Sequence, residues 1–409
     1  MTDSGTQKVV VIGGGAAGFF AAINIKKNAP GCEVVILEKN NKLLSKVRIS
    51  GGGRCNVTHN CFNNSELIKN YPRGEKELRQ VFARFSVKDT IEWFRKEGVL
   101  LKTENDGRMF PVTDSSQTII DLFLELAKKL NIRVQLQTEV FAVSKTENNF
   151  QLKTSQGLLQ CNKVICSSGG FPKAGAYDFI KNTGHSIVEP LPSLFTFNLP
   201  DEEIKKELQG VAVPEARISI AGSKLRYAGP VLITHWGLSG PAVLKLSAFA
   251  AELFFRSGYE AQIIVNWLNK DQEEISSMLE QVQQEKKNSL PRNTPLPGMP
   301  ARLWEFLCTE AELIEGRSWA ETGKKQVHKL MNLLYASNYK MKGKSTFKEE
   351  FVTCGGVNLK EVDFRTMESK MVPGLFFCGE VLNIDAITGG FNFQAAWSTA
   401  FVCAGSVCK

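Results

Sequence analysis

Apolar residues along the chain follow the two periods that distinguish strands from helices. Residues 9–12 (VVVI) form a continuous apolar run of the kind found in a buried parallel strand. Residues 16–27 place apolar side chains at helical spacing, and residues 33–37 (EVVIL) form a second apolar run. A strand, a helix and a second strand in this order predict the beginning of an α/β fold with a parallel sheet.

The rest of the chain mixes helical and strand-like patterns. Residues 86–89 (SVKD) and 114–117 (DSSQ) resemble capping boxes, which predict helices after them. The other predicted elements are antiparallel strands within 132–167, strands at 216–221, 231–234 and within 374–380, helices at 241–255, 301–339 and 394–404, and a proline-rich loop at 288–300. This order indicates a parallel-sheet domain that is interrupted by an insertion.

The turn between the first strand and the first helix has the sequence GGGAAG, which contains the pattern G-x-G-x-x-G. At such a turn Gly13 permits a tight bend, Gly15 lets a pyrophosphate approach the backbone, and Gly18 lets the helix pack closely on the sheet. The helix N-terminus then faces the phosphates with unpaired N–H groups. Glu38, at the end of the second strand, is placed to accept hydrogen bonds from ribose hydroxyls. We therefore predict a dinucleotide site with contacts from Gly13, Gly15, Ala17, Gly18 and Glu38.

Two more glycine-containing segments indicate which dinucleotide binds. Glu38 disfavours a 2′-phosphate, which leaves NAD or FAD. Residues 164–170 (VICSSGG) form an apolar strand that opens into glycines, and residues 374–404 supply a strand, an acid, a glycine pair and a helix. Because a flavin and its ribityl chain need contacts beyond the pyrophosphate, this distribution favours FAD. The candidate contacts in these segments are Ser168, Gly169, Gly379, Glu380, Gly390, Asn392 and Phe393.

The stretch SGGGRCNVTHNC, residues 50–61, is predicted to be a cofactor loop. Its glycines let the backbone lie against the flavin or its phosphates, where a Cβ would clash. Arg54 is then a partner of the pyrophosphate, a positive charge near the flavin, or a member of a structural salt bridge. The candidate contacts of this loop are Ser50, Gly51, Gly52 and Arg54. Val140, which lies outside the loop, is a further candidate contact of the cofactor.

Two cysteines in the same stretch suggest alternative functions. Flavin-dependent disulfide reductases carry a cysteine pair after the ribose-binding acid, normally as C-x4-C on a helix, whereas Cys55 and Cys61 enclose five residues. Such enzymes also carry a second dinucleotide fold and a histidine near the C-terminus, but no second strand–glycine–helix pattern is visible and the last histidine is His328. A metal site on Cys55, His59 and Cys61 lacks a further ligand pair at zinc spacing. We therefore favour the cofactor loop and expect no metal.

Four motifs resemble those of a family of bacterial FAD proteins, mostly labelled NAD(P)/FAD-dependent oxidoreductases, which includes aminoacetone oxidase-type enzymes. The motifs are GGGAAG with Glu38, RISGGGRCN at 48–56, THWGLSGPA at 234–242, and the run from MESKMVPGLFFCGE to TGGFNFQAAW. The resemblance covers nearly the whole chain. It implies a Rossmann-type, glutathione-reductase-like FAD-binding domain, interrupted by a β-barrel-like and a helical insertion. It also implies FAD contacts at the glycine fingerprint, at Glu38, in SGGGR, and at residues 379–380 and 390–393.

The resemblance gives expected domain bounds. Residues 1–190 and 345–409 are expected to form a discontinuous FAD-binding domain, residues 191–270 the β-barrel-like insertion, and residues 271–344 the helical insertion. The insertion is expected to choose the substrate. Within it His235 is the candidate acid or base, with a structural role at a domain interface as the alternative.

The expected activity is transfer of a hydride between flavin and a small organic substrate: an amine, an amino ketone or an enone. Either oxygen or NAD(P)H completes the cycle. Since no second nucleotide fold is visible, NAD(P)H would bind transiently, as a reductant at the flavin face. The protein is therefore expected to be an oxidase or an NAD(P)H-dependent reductase.

Composition limits the setting in which this chemistry takes place. A chain of 409 residues has room for two or three domains. No apolar run approaches the roughly 20 residues that span a bilayer, so no membrane partner is expected. Ten cysteines without a dense framework, together with no export signal, indicate a cytoplasmic protein.

The net charge of +8 raises a rival function. Residues 317–348 hold eight Lys and Arg residues against a single acid, Glu321. Such a region is typical of a solvated helical face, but it also suits an anionic partner. The alternative to a small-molecule enzyme is therefore a flavin-containing RNA-binding or RNA-modifying protein that uses residues 317–348.

Overall fold

The computed structural model describes residues 7–200, 202–345 and 352–408. The chain divides into two compact units, residues 1–193 with 348–409, and residues 194–347. The ranges that the sequence assigns to two separate insertions, 191–270 and 271–344, fall almost entirely in the second unit. Within the described ranges, no helix combines the length and the apolar character needed to cross a bilayer.

The strands are β1 (Lys8–Ile12), β2 (Glu33–Leu37), β3 (Thr58–His59), β4 (Leu101–Thr103), β5 (Arg108–Pro111), β6 (Arg133–Gln135), β7 (Val140–Lys145), β8 (Phe150–Thr154), β9 (Gly157–Cys161), β10 (Lys163–Cys166), β11 (Ile187–Ser193), β12 (Thr196–Asn198), β13 (Ala212–Ile220), β14 (Arg226–Ile233), β15 (Gly237–Ser239), β16 (Glu260–Asn266), β17 (Ser337–Lys342), β18 (Lys344–Ser345), β19 (Val352–Val357), β20 (Val362–Asp363), β21 (Glu368–Ser369) and β22 (Leu375–Phe377). The helices are α1 (Ala16–Asn28), α2 (Ser45–Gly53), α3 (Asn64–Leu67), α4 (Glu75–Phe82), α5 (Val87–Lys96), α6 (Ser116–Lys129), α7 (Asp178–Lys181), α8 (Glu202–Leu208), α9 (Pro241–Phe249), α10 (Ala251–Arg256), α11 (Gln272–Glu285), α12 (Ala301–Glu310), α13 (Lys324–Ala336) and α14 (Phe391–Val407).

The first unit is built on a sheet with the strand order β20-β21-β22-β10-β1-β2-β6. Strands β22, β10, β1, β2 and β6 run parallel, with β1 between β10 and β2. The chain crosses from β6 to β10 through the antiparallel strands β7, β8 and β9. Helices α1 and α14 pack against each other, and β1 and β2 are almost wholly buried, which explains their continuous apolar sequence. The predicted Rossmann-type α/β fold is confirmed.

An aromatic cluster forms much of the core around α1 and α14. Phe20 of α1 lies 4.5 Å from the ring centroid of Trp93 and 5.3 Å from that of Trp397. Phe94 and Phe123 complete the cluster at centroid distances of 5.8 and 5.7 Å from Trp397. Because these rings come from α1, α5, α6 and α14, the cluster fixes both chain ends of the unit against each other.

The second unit contains a sheet with the order β17-β16-β13-β14-β15-β12-β18. Strands β17 and β18, at the two ends of this order, are separated only by Gly343, which has a φ of +87°. The sheet therefore closes on itself, which confirms the β-barrel-like expectation. Its interior is a continuous apolar core that includes Phe197, Ile263 and Trp304.

Two sequence-based element assignments need correction. The helix predicted over 301–339 is divided into α12 and α13, and Ser337–Lys342 is the barrel strand β17, so the range 271–344 is not purely helical. The residues of β17 alternate between buried and exposed, which is the strand period. A capping box at Ser86 begins α5 as predicted, whereas α6 is capped by Ser115 and not by Asp114.

Candidate flavin site

The turn between β1 and α1 has the geometry that a dinucleotide requires. Gly13 has a φ of +112°, and a Cβ there would lie 2.5 Å from the carbonyl oxygen of Ser167, so only glycine fits. Gly15, the N-cap of α1, is different: a Cβ there would meet no protein atom within 4 Å. The space beside the helix N-terminus is thus open to a ligand, and the first N–H groups of α1 are available to an anion.

Two other members of the fingerprint serve packing. Gly18 lies against the carbonyl group of Gly13 and the Ser167 hydroxyl. Ala17 is buried, and its Cβ would be 2.7 Å from a Cβ on Gly379, so two segments of the predicted site that are far apart in the sequence are adjacent in the fold.

The carboxylate of Glu38 lies directly beside this turn. Its Oε2 accepts the N–H of Gly14 at 2.8 Å, and its Oε1 accepts the backbone and side-chain N–H groups of Asn40 at 2.9 Å. The N–H of Thr138 donates to the Glu38 carbonyl oxygen, and Val140 begins β7 two residues later. A carboxylate has about four acceptor positions, so Glu38 retains capacity for ribose hydroxyls.

The end of β10 supplies the clearest indication that a polar ligand is needed. The Ser167 hydroxyl donates to the carbonyl oxygen of Ile12 at 3.0 Å. The neighbouring Ser168 Oγ is buried and has no hydrogen-bond partner within the described ranges. Burying such a hydroxyl without a partner costs about 1–3 kcal/mol, and a polar ligand atom beside the glycine turn would supply the partner. The residues present therefore fit a dinucleotide.

Glu380 follows β22, at the same carboxyl end of the parallel strands as the segments after β1 and β10. Its Oε2 would be 4.0 Å from a Cβ on Gly169, and it forms an ion pair with Lys46 of α2. The N–H of Gly379 donates to Thr399 Oγ1 of α14 at 3.0 Å. The acid that follows β22 is thus held close to the glycines that follow β10.

The loop SGGGR departs from ordinary helical geometry. It forms the end of α2, but Ser50 is extended, and Gly51, Gly52 and Gly53 have φ values of +58°, +69° and +83°. Three successive left-handed residues are accessible only to glycine at low cost. A Cβ on Gly51 would lie 2.7 Å from the Phe110 ring, whereas one on Gly52 would meet nothing within 4 Å.

Arg54 takes part in an ion-pair cluster with the β4–β5 hairpin. It lies 2.5 Å from Glu104 and 3.6 Å from Asp114, and its guanidinium stacks 4.0 Å above the Phe110 ring. The hydrogen bond to Glu104 raises the pKa of Arg54. This arrangement corresponds to the salt-bridge alternative for Arg54, while contact with a cofactor stays a prediction.

The loop also meets the glycine pair before α14, some 330 residues further along. His59 Nδ1 lies 3.0 Å from the carbonyl oxygen of Gly389, and the His59 ring stacks on Phe391 at 4.5 Å. A Cβ on Gly390 would lie 2.5 Å from the carbonyl oxygen of Thr58. His59 is the titratable residue at this contact, and the sequence analysis considered it only as a metal ligand. The histidine is visible in the sequence THN at 58–60, but its partner Gly389 is too distant along the chain to be inferred from the sequence.

The other two predicted contacts near α14 are engaged within the protein. The Asn392 amide accepts the N–H of Ala386 at 2.9 Å and donates to the Ala386 carbonyl oxygen at 3.1 Å. The Phe393 ring stacks on Trp397 at 5.5 Å. In this structure Asn392 fixes the shape of the loop before α14, and a contact of either side chain with the cofactor stays a prediction.

The loop before α14 is anchored by a buried ion pair. Arg73 donates to both carboxylate oxygens of Asp385, which is fully buried. The Ser193 hydroxyl donates to the same carboxylate at 2.7 Å. Because a buried carboxylate is tolerated only when it is fully paired, this contact fixes residues 384–386 against the rest of the unit.

The cysteines of the loop lack the properties of a redox pair. Cys55 and Cys61 are both free thiols. Burial raises the pKa of Cys55 to about 12, and burial followed by the nearby Glu66 charge raises the pKa of Cys61. A raised pKa keeps a thiol protonated at neutral pH, whereas redox-active thiols have lowered values.

We expect thiol alkylation to separate these two cysteines. Cys55 should stay unmodified in the folded protein from neutral pH to about pH 9, because it is buried and its thiolate is absent. Cys61 is half-buried, and its labelling by iodoacetamide should be slow at neutral pH and faster as the pH rises. Peptide mass spectrometry measures both. Loss of both thiols together on mild oxidation would instead support the disulfide reductase.

His235 and the basic region belong to the second unit. His235 is exposed at the turn between β14 and β15. Lys324 and Lys325 begin α13, and Lys340 and Lys342 are exposed on β17, so the region is not one helical face. Lys329 pairs with Glu312 at 2.7 Å. Lys348 lies outside the described residues.

Among the described residues, no group of three His, Cys, Asp or Glu side chains is placed to hold a metal ion.

This fold and site define an FAD-dependent oxidoreductase. Residues 7–406 match the family model described as HI0933-like protein Rossmann domain, and the chain belongs to that family. The ribosomal RNA dihydrouridine synthase of Escherichia coli (strain K12) is 31% identical over 403 residues, which cover 97% of this chain and 96% of that protein.

Two further proteins are similar over the same length. The 3-dehydro-bile acid delta(4,6)-reductase of Clostridium scindens is 24% identical, covering 97% of this chain and 98% of that protein. The crystal structure of a 3-ketosteroid-delta4-(5alpha)-dehydrogenase from Rhodococcus jostii RHA1 covers 98% of both chains with a TM-score of 0.51 and 13% identity. At that identity the structural likeness establishes the fold alone.

Proposed function

We propose that this enzyme reduces a carbon–carbon double bond conjugated to a carbonyl group, and that its substrate is a uracil base in ribosomal RNA. The observation that carries the proposal is the 31% identity, over nearly all of both chains, to a protein named ribosomal RNA dihydrouridine synthase. An enone was one of the substrate classes expected from the sequence. The RNA partner corresponds to the alternative function suggested by the basic region.

The reaction is balanced by one hydride and one proton. In uracil the C5=C6 bond is conjugated to the C4 carbonyl, so a hydride adds to C6 and a proton adds to C5, which gives 5,6-dihydrouracil. Bound FAD, reduced by NAD(P)H, supplies the hydride in such a reaction. The protein must hold the base, exclude water and deliver the proton.

Among the residues at the flavin site, we propose His59 as the source of that proton. The Gly389 carbonyl oxygen only accepts hydrogen bonds, so Nδ1 of His59 keeps its hydrogen in this contact. The proton delivered to C5 would then be the one that Nε2 carries in the imidazolium form. Stacking on Phe391 fixes the plane of the ring. This gives the imidazole a defined orientation at the contact between the two cofactor loops, as a general acid requires.

A second candidate substrate is a small 3-oxo enone. A relative named 3-dehydro-bile acid delta(4,6)-reductase is similar over 97% of this chain. That name describes double bonds conjugated to a 3-oxo group, which is the same type of bond as in uracil. The two candidates differ in the molecule that carries the bond and not in the chemistry at the flavin. The amine and amino ketone substrates of the sequence analysis stay predictions.

We expect the holoenzyme with NADPH or NADH to form dihydrouridine in ribosomal RNA transcribed in vitro, which carries no modified bases. The measurement is mass spectrometry of the nucleosides after complete digestion. A matched reaction without nicotinamide should give none. Reduction of a Δ4-3-oxo steroid, with no dihydrouridine in RNA, would contradict the RNA substrate and favour the second candidate.

A further inference from the structure

A rigid hairpin in the second unit presents two aromatic side chains to solvent. Strands β14 and β15 are joined by a tight turn in which the N–H of Thr234 donates to the Gly237 carbonyl oxygen at 2.7 Å. His235 and Trp236 occupy the tip. Trp236 is 46% exposed, and the two ring centroids are 4.8 Å apart with an interplanar angle of 44°. The other five tryptophans of the chain are at most 8% exposed.

Hydrogen bonds hold the hairpin both within its turn and against the residue that follows β12. Thr234 Oγ1 accepts the N–H groups of Trp236 and Gly237, each at 3.2 Å. The N–H of Leu199, just after β12, donates to the Trp236 carbonyl oxygen at 3.0 Å. A Cβ on Gly237 would lie 2.8 Å from the Leu199 nitrogen, so the turn packs directly on β12. The backbone that carries the two rings is therefore fixed before any ligand binds, which lowers the entropy lost on binding.

Two lysine residues lie two strands away from the turn between β14 and β15. Asn198 of β12 pairs with Gly237 on one side, and its N–H donates to the Gly343 carbonyl oxygen on the other. Lys342 and Lys344 flank Gly343 in sequence. Since neighbouring strands are about 4.8 Å apart, these lysines are anchored about 10 Å from the turn. Lys342 is exposed, and Lys344 Nζ lies 4.5 Å from the Tyr259 ring centroid.

We propose that the His235–Trp236 hairpin is a stacking site for an unpaired base of the RNA substrate, and that Lys342 binds a phosphate of the same strand. The inference rests on the proposed function. Proteins read single-stranded RNA by stacking its bases on aromatic side chains beside a basic groove. A paired, pre-positioned His and Trp with a lysine about 10 Å away matches a base and its neighbouring phosphates. His235 then acts in binding, in place of the acid–base role expected from the sequence.

The test measures binding of a labelled single-stranded oligouridylate of about 12 nucleotides to the holoprotein by fluorescence anisotropy. We expect W236A to weaken binding about tenfold, and W236F, which keeps a ring, to stay within about twofold of the wild type. K342A should lower the slope of log Kd against log salt by about 1. F141A removes a ring that is 49% exposed on β7 of the first unit and is the matched control. RNA should also protect Trp236 from iodide quenching.

The outcomes separate this inference from the proposed function. If the wild type forms dihydrouridine in RNA and W236A binds the oligonucleotide as tightly as the wild type, the stacking site is wrong and the proposed function stands. If the wild type forms no dihydrouridine in RNA, the proposed function is wrong, and the inference that rests on it is wrong as well. Protection of Trp236 by a Δ4-3-oxo steroid but not by RNA would overturn the inference and identify a small-molecule site.

Discussion

Replacing Gly15 with valine is expected to weaken FAD binding about 100-fold, or ~2.7 kcal/mol, while the protein still folds. The side chain would enter a space where a Cβ meets no protein atom within 4 Å, so nothing in the protein itself is displaced. The same space lies at the N-terminus of α1, where the pyrophosphate is expected. The measurement is the flavin content of the purified variant and its affinity for added FAD by fluorescence quenching.

Gly31 offers a matched control for this substitution. A Cβ there also meets no protein atom within 4 Å, but Gly31 lies at the opposite end of α1, in the turn before β2. G31V should therefore retain full flavin content. Equal flavin content in G15V and the wild type would show that the cofactor does not approach this turn.

Replacing Arg73 with methionine is expected to lower the free energy of unfolding by about 3–5 kcal/mol, because it leaves the fully buried Asp385 carboxylate without its charged partner. R73K keeps the charge but cannot donate to both oxygens at once, so its loss should be smaller. The measurement is the urea midpoint of the holoprotein, followed by circular dichroism.

An exposed ion pair provides the comparison for R73M. Arg256 and Glu252 lie 3.4 Å apart with both side chains more than half exposed, and R256M should cost less than about 1 kcal/mol. A comparable small effect for R73M would mean that the Asp385 carboxylate reaches water or another cation, and that the loop before α14 does not depend on Arg73.

The sequence predicts best where one short segment contains the whole signal. Residues 9–38 carry a buried strand, a glycine turn, a helix and an acid in unbroken order, and their structure follows from local geometry. The strand Ser337–Lys342 was missed because the helical pattern of α13 runs into it without a glycine or proline. Its identity depends on pairing with β16, about 75 residues earlier along the chain, which no local pattern reveals.

The contacts that shape the candidate site depend on still more distant partners. The pairing of Arg54 with Glu104 joins residues 50 positions apart, and the contact of His59 with Gly389 joins residues 330 apart. Arg73 and Asp385 are 312 positions apart. In each case the residue type was visible, but its partner is set by the tertiary fold. Sequence therefore predicted the cofactor, while the pairing of individual side chains around the candidate site required the structure.

A single-turnover reaction without oxygen tests directly whether this enzyme passes hydride from its flavin to uracil in RNA. The holoenzyme is reduced with one equivalent of NADPH or dithionite and mixed with unmodified ribosomal RNA, while the flavin absorbance and the dihydrouridine content are followed together. We expect the oxidised-flavin band to return as one dihydrouridine forms for each flavin. A band that stays bleached until oxygen is admitted, with no dihydrouridine in the RNA, would contradict it.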